Sequence, residues 1–179
     1  HGATEFNAIG VPLRNHGPRT DEYLAAMRAV WSQPRPSYQG QYVSFSGINA
    51  YPRPVQQPGP QVVVGGRSSG ALRRTVEQAH GWYGYRLDHE ATSGVLDDLR
   101  QALQQYARPA DLGEVEISIT PPMPVNLDVA RRYADLGVHR LIVRPLTTIP
   151  ICATPRSLLS RVVLDDTSGY RDNSTLPAL

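Results

Sequence analysis

Apolar residues recur along the chain with two periods, and the alternation between them marks out helices and strands in turn. Leu24, Met27 and Trp31 fall at helical spacing after Pro18-Arg-Thr-Asp-Glu-Tyr, where Thr20 offers an N-cap and Asp21 and Glu22 would stand in the first turn. Pro34 and Pro36 predict the end of this helix near Gln33, because proline cannot extend the hydrogen-bond ladder and restricts the residue before it. From Tyr38 to Ser46 the pattern alternates, and Gly40 marks the turn of a small hairpin. Four prolines between Tyr51 and Pro60 predict an extended connector. It leads into Gln61-Val-Val-Val-Gly65-Gly66, a continuous apolar run of the kind that forms a buried parallel strand.

Beyond this point the rhythm is regular. Leu72, Val76 and Ala79 share a helical face, with Gly81 placed as a C-cap glycine. Gly81-Trp-Tyr-Gly-Tyr85 predicts a short strand, and Val95, Leu99, Ala102, Leu103 and Tyr106 predict an amphipathic helix closed before Pro109. Glu114 to Thr120 predicts a strand, Asn126 caps a helix through Val129, Ala130 and Tyr133 to Gly137, and Arg140 to Arg144 predicts a last strand. Repeated strand-helix units imply α/β architecture with a parallel sheet. About four units are present, half the eight of a closed barrel, so the expected fold is a partial TIM (β/α)8 barrel with a small β-hairpin insertion. An open doubly wound sheet is the alternative. Residues 1–150 form the expected barrel portion and 151–179 an irregular tail, since the last fifteen residues are polar and aperiodic.

A length of 179 residues allows one sizeable core. The 18 basic and 16 acidic residues are dispersed, without the basic stripe of a nucleic-acid groove, so no nucleic-acid partner is expected. No apolar run reaches the ~18 residues of a membrane span, and no membrane partner is expected either. The single cysteine, Cys152, cannot form an internal disulfide, which fits a reducing compartment and an expected cytoplasmic location. His1, His16, His80, His89 and His139 lack metal-ligand spacing, so no metal site is expected. Opening on His1 rather than Met raises the expectation of a processed start or an upstream part.

The most informative local feature is Val64-Gly65-Gly66-Arg67-Ser68-Ser69-Gly70 at a strand-to-helix junction. Glycines there let backbone amides approach an anion at the positive helix end, Arg67 can add a charge-assisted bond, and Ser68 or Ser69 can donate a hydroxyl. The same residues also suit a tight turn with a serine cap and no ligand. The turn is neither a Walker A sequence nor a dinucleotide fingerprint.

Several short motifs occur together in a fixed order: Gly10-Val-Pro, Arg19-Thr-Asp-Glu-Tyr-Leu, Ala29-Val-Trp, Tyr38-x-Gly-x-Tyr-x-x-Phe45, Pro52-x-Pro-x-Gln56-x-Pro58, Val64-Gly-Gly-Arg-Ser68 and Gly81-Trp82. In this order the chain resembles luciferase-like oxidoreductases, and in particular their deazaflavin-dependent branch, which uses coenzyme F420. The resemblance implies about the C-terminal half of a TIM-type barrel with a flavin or deazaflavin at the carboxyl ends of the strands. It also implies hydride exchange between coenzyme F420 and an organic small-molecule substrate. Gly65, Gly66, Arg67, Ser68 and Ser69 would hold the phosphate-bearing tail of the cofactor. Tyr83 and Tyr85 would lie at the mouth of the site, or serve only in packing, as expected for Trp82. Arg144, at the end of a strand, would face an acidic group of cofactor or substrate, or form a surface ion pair.

Two other functions are compatible with the same residues: an FMN-dependent monooxygenase of the superfamily, and an inactive half-barrel that serves as an interaction module. Four strands leave unpaired edges and an uncovered sheet face, so self-association or pairing with a missing N-terminal half is expected.

Overall fold

The structure, a computed structural model, describes residues 6, 8–12 and 14–143. Arg144, Cys152 and the expected tail of 151–179 lie outside the described residues.

Helix α1 spans His16–Ser32 and starts four residues before the expected Thr20 cap. Its N-cap is Asn15, left-handed at φ 64° and without a side-chain cap bond. Thr20 instead donates its hydroxyl to the His16 carbonyl at 2.7 Å, the back-bond that a threonine makes inside a helix. Pro18 is tolerated because the first four amides of a helix have no intrahelical acceptor. The helix stops at Gln33, extended before Pro34, as the prolines predict. Its buried residues are Leu24, Ala26 and Ala29, whereas Met27 is exposed.

Strands β1 (Tyr38–Gln39) and β2 (Ser44–Phe45) pair antiparallel and form the expected hairpin. Its turn is gripped by helix α1: the Glu22 carboxylate accepts the backbone N–H groups of Gln41, Tyr42 and Val43 at 2.9, 2.6 and 2.7 Å. The Arg19 guanidinium lies 4.4 Å from the centre of the Tyr42 ring. A Cβ at Gly40 would collide with the Glu22 carboxylate, which explains glycine there.

Four parallel strands follow, β3 (Val63–Gly65), β4 (Gly81–Tyr85), β5 (Glu116–Thr120) and β6 (Arg140–Leu141), lying side by side in chain order. Helices α2 (Ser69–Gln78), α3 (His89–Gln105) and α4 (Leu127–Asp135) alternate with them, and a 3-10 turn spans Ala110–Leu112. Asn126 caps α4 by accepting the Val129 N–H at 2.8 Å, as its position predicts. Gly81 is not the C-cap of α2; that place belongs to Ala79, and Gly81 opens β4. A side chain at Gly81 would sit 2.6 Å from the Glu116 carbonyl of the adjacent strand.

In register, Trp82 stands beside Ile117 and Ile119 beside Leu141, which puts all four on one face of the sheet. That face carries the core, where Leu72 and Val76 of α2, Leu96 and Leu99 of α3, and Tyr133 of α4 all meet it. All three helices therefore pack against the same side, as in a barrel wall, whereas a doubly wound sheet needs helices on both. The fold is α/β, a partial barrel of four parallel strands with three alternating helices among the described residues. The run Val62–Val64 is less buried than its apolar sequence predicts, with Val63 half-exposed. Among the described residues β3 pairs on one side only, with β4.

Two arginine-centred clamps support this arrangement. Arg108 donates to the carbonyls of Thr75, Val76 and Ala79 at the end of α2, and to those of Leu112 and Gly113. Asp21 of α1 joins Arg74 at 2.6 Å and Arg73 at 2.9 Å on α2. Burial pushes the Asp21 carboxyl up, but the hydrogen bond and charge of Arg74, with those of Arg73, more than reverse it and hold the group below the usual carboxylate range.

Candidate functional site

At the carboxyl end of β3 the chain turns sharply through Gly66, whose φ of +106° lies where L side chains are strained. Ser68 is extended and caps α2, its hydroxyl oxygen accepting the Ala71 N–H at 3.3 Å. The capping role of Ser68 is thus realised: it takes up the Ala71 amide of the first helical turn through both its hydroxyl and its carbonyl oxygen. The turn is braced from the core: the indole N–H of fully buried Trp82 donates to the Gly66 carbonyl at 2.8 Å. Trp82 therefore packs, as expected, and also fixes the turn.

On the sheet face opposite the core, Gly65 stands beside Tyr83 and Tyr85 beside Thr120. The hydroxyls of Tyr83 and Thr120 share a hydrogen bond of 2.8 Å, and Ser118 and Thr120 are both buried at 4% exposure. Deeper on this face Glu116 and Arg140 form an ion pair at 2.6 Å. The face is thus polar and internally paired at its base, with the exposed Tyr85 at its rim.

A cleft of about 900 Å³ opens at this end of the strands. It brings together Gly65, Gly66, Arg67, Ser68, Tyr83 and Tyr85, all singled out in the sequence; Ser69 begins α2 but does not line the cleft. Arg74 also borders it, already committed to Asp21 and to the Gly17 carbonyl. Sequence reasoning missed Thr120, the Glu116–Arg140 pair and Arg86, a left-handed residue at φ 52° on the cleft wall. Only the register of β4 against β5 reveals Thr120. A smaller hollow of about 380 Å³ lies at the opposite end of β3, between Trp31, Pro58 and His80, away from these groups.

His80 and His139 have matching structural roles: each Nδ1 accepts a backbone N–H, of Val62 and Ile117 respectively, at 3.0 Å. Among the described residues no three His, Cys, Asp or Glu side chains gather as a metal site. No helix among them is long and apolar enough to cross a membrane.

The family model described as luciferase-like monooxygenase matches residues 1–158. The chain is 32% identical over 100 residues to an FMNH2-dependent dimethylsulfone monooxygenase of Pseudomonas putida, an alignment covering 54% of this chain and 27% of that protein. It is 30% identical over 133 residues to an uncharacterised protein of Mycobacterium tuberculosis, covering 74% of this chain and 45% of the relative. Among solved structures, the monooxygenase RslO1 from Streptomyces bottropensis superposes with a TM-score of 0.53 at 20% identity, over 75% of this chain and 41% of that one. The chain thus spans less than half the length of these relatives.

Proposed function

The chain belongs to the luciferase-like monooxygenase family, and from that premise we propose that its cleft binds the phosphate-bearing tail of a flavin-type cofactor. The observation that carries this reading is the Gly65–Ser68 turn. Gly66 takes a left-handed conformation open to glycine, α2 begins just beyond it with its positive end toward the turn, and Arg67 lines the cleft with no ion-pair partner among the described residues. A phosphate suits that donor set. A Cβ at Gly66 would meet the Ala71 methyl at 3.2 Å, so the close approach needs glycine.

When bound, a flavin supplies hydride and electron transfer that protein side chains cannot. The residues of this chain would hold its tail, position its ring with Tyr83 and Tyr85, and keep the Tyr83–Thr120 hydrogen bond at the base of the site. An organic small molecule is the co-substrate. FMN is favoured as the cofactor by the FMNH2-dependent relative. Coenzyme F420 is the second reading, favoured by the ordered motifs from Arg19-Thr-Asp-Glu to Val64-Gly-Gly-Arg-Ser. In either case the unpaired side of β3 would be covered by further strands, from self-association or from an N-terminal half.

Fluorescence titration of the chain with FMN, coenzyme F420 and riboflavin tests the proposal. Saturable binding of a phosphorylated cofactor, weaker for riboflavin and weakened at least tenfold by Gly66→Val, is the expected outcome. Well-folded protein that binds none of the three would instead support an inactive interaction module.

A further inference from the structure

Most arginines of the described fold are engaged. Arg28, Arg53, Arg73, Arg74, Arg108 and Arg140 each bond a carbonyl or a carboxylate. Two arginines on the cleft wall are not: among the described residues, Arg67 and Arg86 have neither a hydrogen-bond nor an ion-pair partner, and both are exposed. They stand at the ends of neighbouring strands, Arg67 two residues beyond Gly65 and Arg86 three beyond Tyr83, residues that are themselves paired in register.

The position of Arg86 is imposed by its neighbours. Leu87, immediately after it, is buried in the core, and its carbonyl accepts the Tyr133 hydroxyl at 2.8 Å. Asp88 caps α3 through the Ala91 N–H at 2.8 Å. The chain turns between β4 and these anchors with a left-handed residue at 86, a conformation better suited to glycine or asparagine. Arg86 therefore starts from a defined backbone position and brings an unpaired guanidinium to the cleft wall, where it is available to an anion. The carboxylate of Asp88 borders the same wall, yet it forms no ion pair with Arg86.

We propose that Arg86 forms a second anion subsite in the cleft, distinct from the Gly65–Ser68 turn, for a carboxylate or phosphate on the bound ligands. The cleft would then take two separated negative groups. This rests on the proposed reading of the cleft only for the source of the second anion. The source is either the tail of the cofactor, as in coenzyme F420 with its phosphodiester and carboxylates, or an acidic group on the co-substrate.

Backbone amide shifts during titration of the full chain with inorganic phosphate test it. Two groups of responding amides are expected, one at residues 65–71 and one at 85–88. Arg86→Asn, which suits the left-handed backbone, should weaken the second response about tenfold and leave the first, while Arg86→Lys should retain much of it. Absence of any response at 85–88, or a response that Arg86→Asn leaves intact, would overturn the proposal. A failed turn reading would remove the response at 65–71 alone, so the two claims fail separately. With the second site established, movement of 85–88 on adding coenzyme F420 but not FMN assigns the anion to the cofactor. A phosphate response that persists in the FMN-loaded chain assigns it to the co-substrate.

Discussion

The indole of Trp82, wholly buried in the core, donates its N–H to the carbonyl of Gly66 in the exposed turn at 2.8 Å. One bond therefore connects the best-packed side chain of β4 to the backbone that would face a phosphate. Trp82→Phe keeps an aromatic ring but removes the donor and leaves a small void. It should cost about 1–3 kcal/mol by urea unfolding. FMN affinity should fall with it; unchanged affinity would mean that the turn holds its shape without the brace.

Ser68 serves α2 as its cap, and its oxygen is occupied by the Ala71 N–H. Ser68→Ala should lower stability by about 1 kcal/mol in chemical denaturation. Its hydroxyl proton remains available to a ligand oxygen, so phosphate-bearing cofactors should lose several-fold more affinity than riboflavin does. An equal loss for both would assign the serine to capping alone.

Asp21 links α1 to α2 through Arg74 and Arg73. Because its folded pKa lies below the ordinary value of 3.8, the pair contributes stability that is full above that value and is lost as the pH falls through the folded one. Asp21→Asn should cost about 1–2 kcal/mol near neutrality, less than for a fully buried pair since the carboxylate is partly solvated. The gap between wild type and variant should close in acid. A gap that is constant from pH 7 to pH 3 would show that packing, not charge, carries the effect.

The sheet face opposite the core exposes Val63, Tyr85 and Ile142, and β3 pairs only with β4 among the described residues. Light scattering at micromolar concentration should give a mass above that of one chain. A monodisperse monomer would contradict the expected assembly.

The elements readable from sequence were those written in local chemistry: the Asn126 cap, the Gly40 turn, the stop at Pro34 and the alternation of strand and helix. Asp21 and Glu22 show where local reading stops. Both looked like first-turn acids of a helix starting at Thr20, yet Asp21 reaches α2 and Glu22 grips the hairpin some twenty residues ahead. Neither partner is implied by spacing along one helix. Val62–Val64 has the composition of a buried strand, but composition does not say whether a neighbour covers both sides. In the cleft, the glycines and Ser68 were legible because a turn requires them, whereas Arg86 on its wall, and Thr120 behind Tyr83, acquire meaning only from the strands beside them.

Arg108 binds five carbonyls, joining the end of α2 to the loop before β5, at the far end of α2 from the Gly66 turn. In a mutational scan scored by flavin binding, Arg108 would look as intolerant as Gly66. Scoring cellular abundance alongside binding would separate them: Arg108 variants should disappear from the folded pool, whereas a Gly66 variant that still folds should persist there without binding.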